Sequence, residues 1–530
     1  MSDAVSVSSW LIRAAGVTCL IGVVLVSGYL LLVLSREGDP VLLGGLTLGS
    51  RRVTAAVVLL TGLIVAAAVL RSGPPMRDAV SKQRGLILFA LFLVVYLANG
   101  RTIGAGDTLP MRYLPISLIT TGTLTLDGLP FLYVPGGSHY SAPRAGNPYT
   151  RLRSGDPQLP YYVQRVNDHI VSLYPVAQVV LLVPFYLPSV LGGVAPNSSI
   201  FEVLEKVLAA AMVALSAVFL YLALCRRTSG GMGLAITAVY ALGTSSLSIS
   251  SQALWQHGPS QLALTAALYG LVRAETERRW LTLAWFALAF AVVCRPTDVL
   301  LAAPLAGYML FRSWRQTPLF VLAGVPPIIF QLWYNWQYLG HPLQSQLGGR
   351  KEFWSTPFWQ GLSGILVSPG RGLLVYSPIF VFAALTLVFS WRRNGDPLLR
   401  CLSIGTMLNV LVYAKWFMWW GGNAYGPRLL ADLVPGLAFA LYPAKDWLNR
   451  QHLVKAVFVV AAVWSIYAHA VGAFLDDGRQ WYGRLNMNQF PERLWFWTDN
   501  PLVSTPPRVV RYVGRLLDPR SPGEHKGRTE

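Results

Sequence analysis

Charge is what this sequence lacks. Asp, Glu, Lys and Arg make up 13% of its 530 residues, against about 25% in an ordinary soluble protein. A soluble fold with a fully solvated surface is excluded on that ground. Acid is scarcer than base: 24 Asp and Glu stand against 43 Lys and Arg, a formal charge of +19. In a soluble protein such an excess would suggest nucleic acid. Here the basic residues cluster in short loops between apolar runs, the positive-inside pattern of a membrane protein, so no nucleic-acid partner is expected. Cysteine is rare as well. Cys19, Cys225, Cys294 and Cys401 lie in or beside apolar segments with no metal-ligand spacing, which argues against a disulfide framework. The first apolar run is long, with few preceding positive charges and no small-residue cleavage site, so a span is expected there rather than a cleaved leader. Internal repeats and the paired broken helices of secondary transporters are not evident.

What is present is apolar sequence, 54% of the chain, in recurring stretches near the roughly 20 residues a bilayer span needs. Spans are expected at 10–34, 53–70, 86–98, 201–225, 231–247, 256–272, 280–294, 297–311, 317–335, 372–391, 400–417, 427–443 and 455–474. Segment 170–193 is apolar but holds Pro175, Pro184 and Pro188. It reads as a kinked span or a re-entrant piece, because irregular backbone is tolerated where protein covers it. The expected fold class is all-α: a polytopic transmembrane bundle of about 13–14 spans. Residues 1–84 form two additional N-terminal helices, 85–474 the main membrane domain, and 475–530 a polar tail. Within the tail, Arg508, Arg511 and Arg515 fall near one face of a candidate interfacial helix at 507–519.

Loop charge sets the orientation. Basic residues mark loop 71–85 and the turns at Arg226-Arg227, Arg273/Arg278/Arg279, Arg312/Arg315, Arg392/Arg393/Arg400 and Lys445/Arg450/Lys455. From 226 onward these are alternate connections, so they share one face, the cytoplasmic one. The long loop 99–169, the connections near 244–258, 295–297, 336–371 and 418–426, and the tail then share the extracytoplasmic face of a plasma (inner) membrane. Short amphipathic runs within 114–130 suit helix lying on the membrane surface.

Polar clusters gather on that second face. "GAGDTLPMRYLP" (104–115) carries Asp107 and Arg112, and "NDHIVSLYP" (167–175) carries Asp168 and His169. "LWQHGPSQ" (254–261) carries Gln256 and His257, and "CRPTD" (294–298) carries Arg295 and Asp298. "SPGRGLLVYSP" (368–378) and "AKWFMWWGGNAYGPR" (414–428) add Arg371, Lys415 and Arg428. An ionised residue in a span costs about 2.5–3.5 kcal/mol, so it usually faces a cavity or a partner. Arg295, Arg371, Lys415 and Arg428 are four cations able to hold one phosphate, arginine by bidentate hydrogen bonds and lysine as a point charge. A polyprenyl phosphate fits such a boundary, with its tail in lipid and its phosphate on the cations. Trp416, Trp419, Trp420 and Tyr425 would flank a sugar or the isoprenoid chain, and His257, Asp168 and His169 are further candidate substrate contacts. Asp107 offers a base for an acceptor proton, or a carboxylate to steady an oxocarbenium-like transition state.

Structural alternatives stand beside each reading. The aromatics suit an interfacial belt, and Arg295 and Arg428 suit snorkelling to headgroups. Asp107 suits a helix cap, Asp127 before Gly-Leu-Pro a turn, and Asp298 a partner for Arg295. The sequon at Asn197 is a weak motif.

Taken together, "GDTLPMRYLPISLITTGTLTLD", "SLYPVAQVVLLVPFYLP", "QALWQHGPSQ" with "VCRPTD", and "SPGRGLLVYSP" with "WWGGNAYGPRLLADLVP" resemble the GT-C superfamily of polytopic glycosyltransferases. The likeness is to bacterial dolichyl-phosphate-mannose mannosyltransferase-like proteins, related to the aminoarabinose and protein O-mannosyl transferases. It covers roughly 85–443. The resemblance implies a GT-C type fold with an extracytoplasmic site beneath the first large loop. It also implies a polyprenyl-phosphate-linked sugar donor, a glycan, lipid or protein acceptor, and an essential loop acid at Asp107. Two departures stand out. Many relatives have two adjacent acids where Asp107 precedes Thr108, which leaves the base and a possible divalent metal ion open, and a YPP-type motif reads Tyr174-Pro175-Val176. The rival reading is a membrane transporter or lipid flippase without chemistry.

Overall fold

The computed structural model describes residues 41–43, 46–48, 79–129, 159–313, 317–343, 351–393, 395–475, 487 and 490–504. The expected spans 10–34 and 53–70, and the expected helix at 507–519, lie outside the described residues. Among those described, the only strands form two small antiparallel hairpins, Val41–Leu43 with Leu46–Leu48 and Val163–Val166 with His169–Ser172. Everything else that is regular is helix.

In chain order the longer helices are α1 (Ala79–Leu97), α2 (Leu109–Thr121), α3 (Val179–Leu191), α4 (Ser199–Leu224) and α5 (Gly230–Leu242). They continue as α6 (His257–Ala274), α7 (Leu281–Cys294), α8 (Val299–Ser313), α9 (Val325–Leu339) and α10 (Phe358–Val367). The last are α11 (Phe380–Phe389), α12 (Pro397–Lys415) and α13 (His452–Ala470). Polar caps mark several starts. Ser198 accepts from the Ile200 amide at 3.3 Å and Asp396 from the Leu398 amide at 2.8 Å, meeting amide donors that a helix start leaves unpaired.

Packing and exposure divide the side chains. One core runs through α1, α4, α6 and α7 and continues into α8, α11 and α12. The outward faces are apolar too. Phe311 is 91% exposed, Trp359 75% and Val460 68%. Apolar surface on this scale is foreign to a soluble monomer and natural against lipid. Four helices, Ser199–Leu224, Leu319–Leu339, Pro397–Lys415 and His452–Leu475, are long and apolar enough to cross a membrane. The protein is a membrane-embedded helical bundle.

The ends of the bundle are chemically distinct. At one end Arg227 forms an ion pair with Glu275 and lies 4.0 Å from Asp396, which also accepts from Tyr442 at 2.6 Å. The basic turns after α4, α6 and α11 thus meet. At the other end Asn99, just past α1, donates to Gln252 at 2.6 Å and to the Ala473 carbonyl at 3.0 Å. Lys206, in the second turn of α4, donates to the same Gln252 oxygen at 2.6 Å.

This second end resolves the apolar segment 170–193. Thr102 donates to the Glu202 carbonyl at 3.4 Å, so the chain leaves α1 and enters α4 on one face. Between them come the second hairpin and α3. The 13 residues of α3 reach about 20 Å at 1.5 Å per residue, short of a bilayer core of roughly 30 Å. Helix α3 packs on α2 and carries Pro184 and Pro188 within it. Its packing on α2, and the return of the chain to the face it left, agree with the re-entrant alternative. The polar tail docks on this end as well: Gly370 donates to Leu494 at 3.0 Å, and Arg493 pairs with Asp499 at 2.5 Å.

Helix α10 lies against α12 with no room at Gly361, where a Cβ would fall 1.9 Å from the Ala414 carbonyl oxygen. Gly361→Ala is expected to force the helices apart at a cost of about 1–3 kcal/mol, read as a lower unfolding temperature in detergent. At Gly307 on α8 a Cβ meets nothing within 4 Å. Gly307→Ala is expected to leave the unfolding temperature unchanged or raise it, because alanine favours helix.

Candidate active site at the polar end of the bundle

The stretch "WWGGNAYGPR" builds the site through its glycines. Gly421, Gly422 and Gly426 hold φ values of 72°, 74° and 59°, left-handed backbone that suits glycine and strains other residues. The resulting curl turns backbone carbonyls inward and brings Arg428 to the head of a helical turn. Arg371, 1% exposed, fills the inside of the curl. Its guanidinium donates to the carbonyls of Trp420 at 2.9 Å, Gly422 at 3.1 Å and Gly370 at 2.9 Å.

Arg428 extends from the curl to Asp107. Its Nη1 lies 2.7 Å from Asp107 Oδ2, across 321 residues of chain. Its guanidinium sits 4.8 Å from the Trp255 ring centre, a cation–π contact. Trp255 is itself pinned by its indole N–H to the Ile103 carbonyl at 3.1 Å. The Nε of Arg428 is buried with no hydrogen-bond partner among the described residues.

Asp107 sits in a short helical turn, Gly106–Thr108, that leads into α2. Tyr161 donates to its Oδ1 at 2.8 Å, and Tyr174 is a further side-chain hydrogen-bond partner. Gly106 admits these rings: a Cβ there would stand 2.6 Å from the Tyr161 hydroxyl and 2.5 Å from the Tyr162 ring. Burial alone would push the Asp107 pKa up. The charge and hydrogen bond of Arg428, with the tyrosine hydrogen bonds, outweigh it and hold the carboxyl below the usual 3.8. Beneath, Glu205 on α4 pairs with Arg112 of α2 and accepts from the Leu254 amide at 3.1 Å. That ion pair ties the Asp107-bearing turn to α4.

A second network begins one helical turn further on. Asp432, 2% exposed, forms an ion pair with Arg295 and accepts from His257 Nδ1 at 2.9 Å. Arg295 also donates to the Tyr413 hydroxyl at 2.5 Å, and Gln261 on α6 holds the Ala431 carbonyl at 2.8 Å. Segment 428–432 therefore presents a cation to Asp107 and an anion to Arg295 and His257. His257 lies within electrostatic range of both arginines.

The structure thus brings Asp107, Arg428, Arg295 and His257 into one region. Other sequence candidates have different surroundings. Arg371 is expected from sequence to face a phosphate; it is instead enclosed by carbonyls, since a buried guanidinium must satisfy its donors. Tyr425 is buried, its hydroxyl donating to the Ala468 carbonyl at 2.5 Å and its ring edge-on to Tyr376, so it is closed to a sugar. Asp168 and Asn167 have positive φ, 66° and 47°, and form the two-residue turn of the second hairpin. His169 contacts Asp127 at 2.7 Å on the exposed side of that hairpin. Asp127 is more than a turn residue, since it also accepts from the Ile170 amide at 2.6 Å. Trp420 is half-buried against Trp419. Lys415 closes α12, half-buried, its carbonyl accepting from the Thr356 amide at 3.3 Å. Arg295 takes Asp432 rather than Asp298 as its partner, and Asp298 accepts from Ser260 at 2.5 Å.

Among the described residues, those around Asp107 do not form a site for a divalent cation. Such an ion wants several oxygen ligands, largely carboxylates. Both oxygens of Asp107 are hydrogen-bonded and an arginine stands against it. Among the described residues no three His, Cys, Asp or Glu side chains converge to hold a metal.

No protein-family model matches the sequence, and no curated protein matches it. The chain is similar to a solved structure described as the archaeal oligosaccharyltransferase AglB from Archaeoglobus fulgidus in complex with an inhibitory peptide and a dolichol-phosphate. The identity is 13% and the TM-score 0.41, over 77% of this chain and 58% of that one. This chain therefore spans less than two thirds of that protein's length.

Removing one partner of a buried ion pair strands the other, at about 3–5 kcal/mol. Asp432→Asn is expected to lower the unfolding temperature markedly. The double variant Asp432→Asn with Arg295→Met is expected to regain much of that loss, and thermal unfolding of both single variants and the double closes the cycle. Additive losses would show that the two residues are not coupled.

Proposed function

We propose that the protein is a GT-C type glycosyltransferase of the plasma membrane. In this reading it transfers a sugar from a polyprenyl-phosphate donor to an extracytoplasmic glycan, lipid or protein acceptor. The observation that carries the reading is the Asp107–Arg428 pair: a carboxylate and a guanidinium with a buried, unpartnered Nε. It lies at the polar end of a lipid-facing bundle. The sequence resemblance to GT-C enzymes supports the same reading and maps their essential loop acid onto Asp107.

The proposed chemistry follows from the charges. A donor phosphate entering from the lipid side offers oxygens to the unpartnered edge of Arg428, with Arg295 and His257 nearby. As the anomeric C–O bond breaks, the bonding pair leaves on the phosphate, whose growing charge is met by cations already in place. The acceptor oxygen attacks the anomeric carbon, and its proton passes to Asp107. In the resting pair Arg428 keeps Asp107 acidic and thus a weak base. A phosphate that draws Arg428 away raises the basicity of Asp107 when the donor is seated.

Asp107→Asn is expected to leave a folded protein whose transfer from a labelled polyprenyl-phosphate sugar falls by about 10²–10⁴-fold, the usual contribution of a positioned acid or base. Undiminished transfer would remove Asp107 from the chemistry. Wild-type protein that moves the lipid between leaflets without transferring sugar would establish the flippase reading.

The pair also fixes a pH response. Because the folded pKa of Asp107 lies below its ordinary value, the carboxylate persists through neutral pH and is lost only as pH falls through that depressed value. The acid limb of kcat/KM, which reports the free enzyme, is expected below about 3.9, the ordinary aspartate value. In Arg428→Gln the limb of the residual activity is expected to move upward, since burial then acts on Asp107 with its main counter-charge gone. An unmoved limb would separate the two residues.

A further inference from the structure

The opposite, basic end of the bundle holds a cleft that the proposed reaction does not use. Helices α8 and α12 touch closely at Gly405, where a Cβ would stand 3.0 Å from the Leu300 carbonyl and the Leu301 Cα. Toward the basic end an open groove of about 560 Å³ runs between them. Pro304, Gly307, Tyr308 and Ile404 line its depth, and Arg312 and Arg400 stand at its basic end. From Pro304 to Arg312 the helix rises about 12 Å. The cleft is therefore amphiphilic along its length, apolar within the bundle and cationic at the mouth. Phe311, almost fully exposed, leaves its outer side on the lipid-facing surface.

The charges at the mouth are available to an anion. Arg400 is held in place by the Ser390 and Arg392 carbonyls, each at 2.8 Å. Arg312 contacts the Tyr308 ring at 6.0 Å and makes no ion pair among the described residues. The nearby acids are engaged. Asp396 caps α12 and accepts from Tyr442, and Glu275 is paired with Arg227.

From this geometry we infer that the α8–α12 cleft binds one anionic phospholipid, its phosphate on Arg312 and Arg400 and an acyl chain along Pro304, Gly307 and Ile404. The site is separate from the Asp107–Arg428 region and does not depend on the reaction assigned there. A lipid, rather than a soluble phosphate, is favoured because the apolar depth opens to the bilayer side.

Native mass spectrometry of the full chain in neutral detergent tests the inference, with phosphatidylglycerol, phosphatidylcholine of the same chains, and glycerol 3-phosphate as probes. One phosphatidylglycerol is expected to be retained roughly tenfold or more in preference to phosphatidylcholine, as two arginines at a membrane surface supply. Gly307→Leu fills open space on a helix and so keeps the fold; it is expected to abolish that retention. Arg312→Gln is expected to keep a bound lipid but lose the preference several-fold. Unchanged phosphatidylglycerol binding in Gly307→Leu would overturn the inference. So would displacement of the lipid by an equal concentration of glycerol 3-phosphate, which would assign the mouth to a free phosphate.

Discussion

A buried charge must be answered, and the polar end of this bundle is organised by that requirement. An ion removed from water without a partner costs several kcal/mol. Segment 428–432 carries one cation and one anion a helical turn apart, Asp432 buried and Arg428 half-buried. Arg428 is answered from the start of the first long loop, by Asp107. Asp432 is answered from the α7–α8 junction by Arg295, and from the start of α6 by His257. Elements separated by hundreds of residues are thus fixed to one short turn by charge, where the rest of the bundle is held by apolar packing.

That turn could not serve as an anchor if it were loose. The curl before it holds three glycines in left-handed backbone. Arg371 fills it from inside. Its planar fork meets three carbonyls at once, which an ammonium could not do with the same geometry. Because SPGRG also receives the tail through Gly370 and Leu494, curl, tail and arginine form one rigid support. Arg371 thereby shapes the position of Arg428 without sharing its surroundings.

Much of this was legible in the sequence, for identifiable reasons. Apolar runs placed most of the helices, since lipid imposes their length and composition, and loop arginines separated the two ends. The expected span 427–443, however, holds only the short α-helix Val434–Phe439, and 372–391 breaks after Tyr376. Asp107, Arg428, Arg295 and His257 stood out because charge inside apolar sequence is costly. What the sequence hides is which buried charge meets which. Arg371 and Arg428 look alike in a row of letters, yet one closes on carbonyls and the other on a carboxylate. Asp432 follows Arg428 at helical spacing within "RLLADLVP", the sequence signal that sets the two charges on one turn. Tyr161 joins Asp107 from the far side of a long loop, and Glu205 lies within an apolar helix; neither has a local motif. Asp168 and His169 drew attention as a polar pair, but Asn-Asp with positive φ is turn chemistry, and only pairing of the strands reveals it.

The asymmetry of the Arg428 pair carries the functional argument furthest. Arg371 has its donors met by three carbonyls, while the ion-paired Arg227 and Arg273 of the basic turns share with Arg428 an Nε unmet among the described residues. Arg428 meets one carboxylate and the face of Trp255, and leaves Nε without an acceptor among the described residues. An aromatic face attracts a cation from any in-plane orientation and sets no hydrogen-bond register. The guanidinium therefore has its charge met by Asp107 and its face by Trp255. A phosphate oxygen arriving from the lipid side would find a donor edge already desolvated. In the proposed reaction it would compete with Asp107 for a single cation, so that seating the donor and freeing the proposed base would be one event.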